Sequence, residues 1–159
     1  MKRSAMILML AVLPNLQAAP TKFGAAIVDA GNRIENARQQ FLKLLAPFQE
    51  DQSGDVAALE GSYAIYVQAI ADGTETARTV TTPSSAECIE LRRAFLILLA
   101  SEDEATKDLA SVVEKIRAAH GRLDLLGKLN VSGSLNRCAH SETAALKRYL
   151  AAAREVVTF

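Results

Sequence analysis

The chain has 159 residues, half of them hydrophobic, with 18 basic against 18 acidic side chains. That length suits one domain with a core of its own, without metals or several disulfides. The neutral balance excludes the basic excess of a nucleic-acid binder and the acidic run of a solvating tail, and four prolines, eight glycines and no tryptophan amid abundant Ala and Leu favour helices over strands.

The N-terminal residues carry an address rather than a fold. Lys2 and Arg3 form a positive start, Ala5 to Leu13 an apolar run of nine residues, Pro14 breaks it, and Leu16-Gln17-Ala18 supplies residues that tolerate cleavage. This order predicts a secretory signal peptide over residues 1–18, cut after Ala18, because a cut after Ala19 would leave Pro20 first. Residues 19–159 then form a single domain of a secreted, extracellular protein, or of a periplasmic one in a bacterial source. No later apolar run approaches the roughly 18 residues of a transmembrane segment. Removal of Lys2 and Arg3 leaves 16 basic side chains against 18 acidic ones.

From Phe23 the apolar residues recur at 4-3 spacing through Ile27, Ala30, Ile34, Ala37, Phe41, Leu44 and Phe48. This predicts a first helix with one buried stripe. Pro47 limits it, since proline pushes the preceding residue out of the α region. A polar turn over 49–54 leads to Asp55, a favoured N-cap type. The second helix carries Val56, Leu59, Tyr63, Tyr66, Ile70, Gly73, Ala77 and Val80 on its seam, and the threonines at 79, 81 and 82, then Pro83, end it. Short connections of this kind make neighbouring helices antiparallel.

The third helix begins at Ser84 or Ser85 and buries Cys88, Leu91, Phe95 and Leu98. Phe95 to Leu99 is apolar on every side, as expected of a rod wrapped by other helices. The spacing continues through Glu102, Ala105, Leu109, Val112 and Ile116, but Glu102 puts a charge at a core position, and Ser101-Glu102-Asp103-Glu104 fits a capping box. Either one helix of about 35 residues runs through, or two meet near Ser101. His120-Gly121 marks a helix end, with glycine at the left-handed cap. Arg122 to Arg137 mixes leucines with Gly127, Gly133 and asparagines, and is expected to be irregular but clamped to the bundle. A last helix is expected from Ser141, burying Leu146, Leu150, Ala153 and Val157.

In an oxidising compartment an isolated pair of cysteines forms a disulfide, so Cys88–Cys138 is the expected bridge; two buried thiols, or a bridge between chains, are the alternatives. The bond needs Cα atoms within about 7 Å, whereas a straight rod from Cys88 to His120 would carry the chain some 50 Å away. The bridge therefore favours a break near Ser101.

Few residues carry recognisable chemistry. His120 and His140 flank one predicted loop but lack the i, i+4 spacing that presents two ligands on one helix face, so no metal site is expected. Gly121 to Leu129 glances at a phosphate-binding loop, but five residues separate its glycines and Leu129 stands where a hydroxyl must reach magnesium. There is no G-x-S-x-G elbow and no C-x-x-C pair, and no cofactor is implied. Asn130-Val131-Ser132 is a sequon in a predicted loop, which makes Asn130 the candidate glycosylation site. Phe41, Tyr63, Tyr66 and Phe95 belong to the core, where they pack together or line an apolar ligand pocket.

These readings converge on an all-α, up-and-down antiparallel bundle of four to five helices with one disulfide, and not on an enzyme. Its expected work is to bind a protein or other extracellular macromolecule through the outer faces of its helices. The alternative is a carrier that holds an apolar small molecule or lipid in the bundle core.

Overall fold

The structure is a computed structural model that describes residues 22–50 and 54–157. The predicted signal peptide, residues 1–18, lies outside them. Four helices make up nearly all of the described chain: α1 (Lys22–Gln49), α2 (Val56–Thr79), α3 (Ala86–Ala118) and α4 (Leu125–Val157). Each packs on the next, α4 closes onto α1, and α1 reaches α3 across the centre, whereas α2 and α4 do not meet among the described residues. The short connections make this an up-and-down bundle. No described helix is long and apolar enough to cross a membrane.

The first two helices follow most of their sequence pattern, although Leu44, Val56, Tyr63 and Val80 of the expected seams are only partly buried. Phe23, Ile27, Ala30, Ile34, Ala37, Phe41 and Phe48 are buried on α1, and Leu59, Tyr66, Ile70, Gly73 and Ala77 on α2. α1 ends two residues after Pro47. Asp55 caps α2 by accepting from the Ala58 N–H at 3.0 Å, and Ser85 caps α3 by accepting from the Cys88 N–H at 3.3 Å. α4 approaches α1 closely at Gly31, where any Cβ would lie 2.2 Å from the Tyr149 hydroxyl oxygen. That hydroxyl donates to the Ile27 carbonyl at 3.2 Å.

α3 does not break at Ser101. It runs unbroken for 33 residues through the supposed capping box. The Ser101 hydroxyl caps nothing; it is buried with no partner among the described residues. At its far end Gly121 N–H donates to the Ile116 carbonyl at 2.9 Å and His120 N–H to that of Arg117 at 3.0 Å. This is a Schellman closure in which His120 (φ 48°), rather than glycine, takes the left-handed position, with Gly121 (φ 79°) following it. Nor is α3 wrapped on all sides: Phe95, Leu98 and Leu99 are buried, but Leu96 and Ile97 are 45% and 38% exposed.

An unbroken α3 removes the expected disulfide. The Cys138 thiol donates to the Ala105 carbonyl at 3.8 Å. Ala105 lies seventeen residues along α3 from Cys88, about 25 Å at 1.5 Å per residue, far beyond disulfide reach. Cys88 and Cys138 are therefore two separate buried thiols. Burial pushes the Cys138 thiol up to about 11, helped by the nearby Glu142 carboxylate, so little reactive thiolate is present at neutral pH. Unreduced protein, once unfolded, is expected to take up two alkyl groups from iodoacetamide, and Cys138 to react at least about 100-fold more slowly in the folded state. Intact-mass spectrometry reads both; an unfolded, unreduced chain that takes up none would restore the bridge.

α4 starts at Leu125, well before Ser141, which lies within the helix. Asp124 is its cap, its Oδ1 accepting from the Gly127 N–H at 2.7 Å. Its buried seam runs Val131, Ser134, Cys138, Glu142, Ala145, Tyr149, Ala152 and Val156. Leu146 and Leu150, expected in the core, are only partly buried beside it.

Candidate functional site

Two features stand out: a polar cluster closed inside the bundle and an apolar groove outside it. Each helix contributes to the cluster. Arg38 on α1 grips Glu35, one turn back, with Nε at 3.0 Å and Nη2 at 3.2 Å from its two carboxylate oxygens. Its Nη1 donates to Glu142 on α4 at 2.5 Å. Gln39 Nε2 adds a bond to Glu35 Oε1 at 2.8 Å. On the other side, the Tyr66 hydroxyl of α2 donates to Glu102 of α3. Glu35, Glu102, Glu142 and Tyr66 are all buried.

One guanidinium, itself partly buried, thus faces three buried carboxyl groups. Burial opposes ionisation, and like charges add to it. Burial, then the Glu102 charge, pushes the Glu142 carboxyl up to about 7 against the pull of Arg38. Burial likewise raises Glu102, although the Tyr66 hydrogen bond and Arg38 hold it back. Burial and the Glu102 charge keep the Tyr66 phenol un-ionised. In carboxylate-bridged bundles a metal ion neutralises such glutamates; here a guanidinium takes that part. Among the described residues no group of three His, Cys, Asp or Glu side chains has a metal-holding arrangement. His120 lies at the end of α3 and His140 fifteen residues into α4, both exposed, so α4 separates the imidazoles that one loop was expected to join.

The aromatic residues proposed as pocket lining fill space instead. Phe41 packs on Tyr63 and Tyr66, with ring centroids 5.8 and 6.3 Å apart, and Phe95 on Tyr149 at 5.6 Å. The Tyr63 hydroxyl donates to the Thr106 carbonyl at 2.9 Å. Asn130 is exposed, but on the second turn of α4 rather than in a loop.

The groove lies between the outer faces of α1 and α2 and measures about 750 Å³. Small residues form its floor: Ala37 from α1, and Ala58, Gly61, Ser62 and Ala69 from α2. Leu44 and the 65%-exposed Ile65 add apolar walls, and Arg33, Gln40, Gln68 and Asp72 a polar rim. From Ala58 to Asp72 it extends about 21 Å. A Cβ on Gly61 would meet nothing within 4 Å, so this spot is open to an incoming side chain. None of the cluster residues lines the groove, and none of Phe41, Tyr63, Tyr66 or Phe95 does. Sequence reasoning passed over Gly61, Ile65 and Ala69 because they lie off the buried seam; the signal was a helix face carrying Ala, Gly and Ser beside an unneeded Ile.

Comparison with protein-family models, with curated proteins and with solved structures finds no match to this chain.

Proposed function

We propose that this chain is a secreted, non-enzymatic binding protein that receives an amphipathic helix of another macromolecule in the α1/α2 groove. The groove itself carries the reading. Its floor of Ala, Gly and Ser lets a third helix approach closely, its length matches about four helical turns, and its polar rim suits the flanks of an amphipathic helix. The interior supports the same choice over a carrier, since the aromatic rings that would line an internal pocket pack against one another. The titratable cluster is closed off from the groove, so its carboxyls act on the fold and not on a docked molecule.

The test places a photoreactive benzophenone side chain at Ile65 and illuminates the protein in fluid from its source. A discrete adduct is expected, competed away by excess unlabelled protein but not by excess Gly61→Trp protein, whose indole fills the open spot without touching the core. Equal competition by Gly61→Trp, or an identical adduct from a probe at Ile89 on α3, would contradict groove binding.

A further inference from the structure

We propose that the bundle is a proton-operated clasp: two helix hairpins, α1/α2 and α3/α4, close along the α1/α4 seam while the buried carboxyls of Glu102 and Glu142 carry protons, and part there when both ionise. The packing groups the helices in this way. α1 lies most extensively along α2, and α3 along α4, whereas α1 meets α4 less extensively than α2 meets α3. The connection between the hairpins, residues 80–85, joins α2 to α3. The α2/α3 side is therefore the hinge and the α1/α4 side the mouth. That mouth is lightly built. Tyr149 lies over Gly31 with its hydroxyl on the Ile27 carbonyl, and Arg38 reaches across to Glu142. α4 brings little apolar bulk: its leucines are exposed or only partly buried, and among the described residues Tyr149 and Glu142 are its only fully buried side chains larger than valine. A seam with so little apolar burial opens more readily than the rest of a fold.

The cluster lies across this mouth with its charges unevenly divided. The α1/α2 hairpin supplies the Arg38–Glu35 ion pair, the Gln39 amide and the Tyr66 phenol; the α3/α4 hairpin supplies Glu102 and Glu142. The Cys138 thiol lies one turn before Glu142, with Asp108 and Arg137 beyond it at the surface. With Glu102 and Glu142 protonated, Arg38 and Glu35 balance. With both ionised, one guanidinium faces three carboxylates in a buried site. Burial and like charge make that state costly, and they push both carboxyls up. Water relieves the cost, and the mouth is the easier side to admit it. On the hinge side Tyr63 donates to the Thr106 carbonyl and Tyr66 to Glu102, and the second bond strengthens when its acceptor ionises. Parting by the width of one water, about 3 Å, is enough, so little apolar surface is exposed. The α1/α2 groove lies within one hairpin and moves with it.

The experiment is pulsed EPR on nitroxide-labelled protein in which Cys88→Ala and Cys138→Ala remove the native thiols. Asn36→Cys/Ala144→Cys places one label on each side of the mouth, and Ser111→Cys/Ala144→Cys places both within the α3/α4 hairpin; all three positions are exposed. The first distance is expected to lengthen reversibly by about 3 Å or more between about pH 5 and about pH 9, while the second holds. Adding Glu102→Gln/Glu142→Gln, which keeps the shape of both side chains but cannot ionise, should leave the first distance short at both pH values. A first distance that does not change, a second that lengthens with it, or the same lengthening in the glutamine variant would each overturn the proposal.

Discussion

Replacing Arg38 by methionine is expected to destabilise the protein by about 3–5 kcal/mol at pH 7, the usual cost of removing one partner from a buried charged pair. The guanidinium is bonded to Glu35 and Glu142 and lies close enough to Glu102 to favour its charge. Without it three carboxyl groups share a centre with no cation. For a domain of this size such a loss lowers the melting temperature by roughly 6–20 °C. The mechanism is electrostatic, so Arg38→Met/Glu142→Gln should recover part of the loss, and the cost should shrink at pH 5, where the stranded carboxyls take up protons. Thermal unfolding of the four proteins in the double-mutant cycle measures the coupling. A cost below about 1 kcal/mol, independent of pH, would make Arg38 an ordinary surface arginine.

The second large effect is the pH dependence of the unaltered protein. The Glu142 carboxyl sits at about 7 when folded because of burial and then the Glu102 charge, against about 4.3 in an unfolded chain. The folded state therefore holds the extra proton, and stability falls with rising pH between these values. The stabilisation is complete below the unfolded value and is lost as pH climbs through about 7. Glu142 alone accounts for a decline of about 3 kcal/mol by pH 8, and Glu102, raised in the same direction, adds to it. Urea unfolding at pH 5 and at pH 8 should show the midpoint moving to lower urea at the higher pH with an unchanged m-value. A midpoint that rises toward pH 8 would reverse the sign and rule out the protonated cluster.

The parts of the fold that were legible are those where apolar spacing met no interruption. α1 and α2 carry their seams in Phe, Ile, Leu and Tyr, and Asp55 and Ser85 cap as their types predict. The misread parts share one cause: polar residues serving as core. Glu102 looked like a helix start because an isolated charge on a seam is costly; its partners Tyr66 and Arg38 lie 36 and 64 residues earlier in the chain, beyond any local pattern. Ser134, Cys138 and Glu142 interrupted the α4 seam in the same way, and Gly127 and Gly133 lowered its helix propensity. The expected Cys88–Cys138 bridge is what favoured a turn back at Ser101, and the one unbroken rod removes both. The groove was hidden for the opposite reason, because a face of Ala, Gly and Ser resembles plain helix surface until a neighbouring helix turns it into a floor.

The most direct measurement is the carboxyl titration of the glutamates by carbon-detected NMR on protein labelled with 13C at the glutamate side-chain carboxyls. Two signals, assigned to Glu102 and Glu142 by their loss in the single glutamine variants, should titrate above the other glutamates, that of Glu142 near 7. If every glutamate titrates near 4–5, the four helices do not converge on a shared buried charge cluster, and the bundle described here is wrong at its centre.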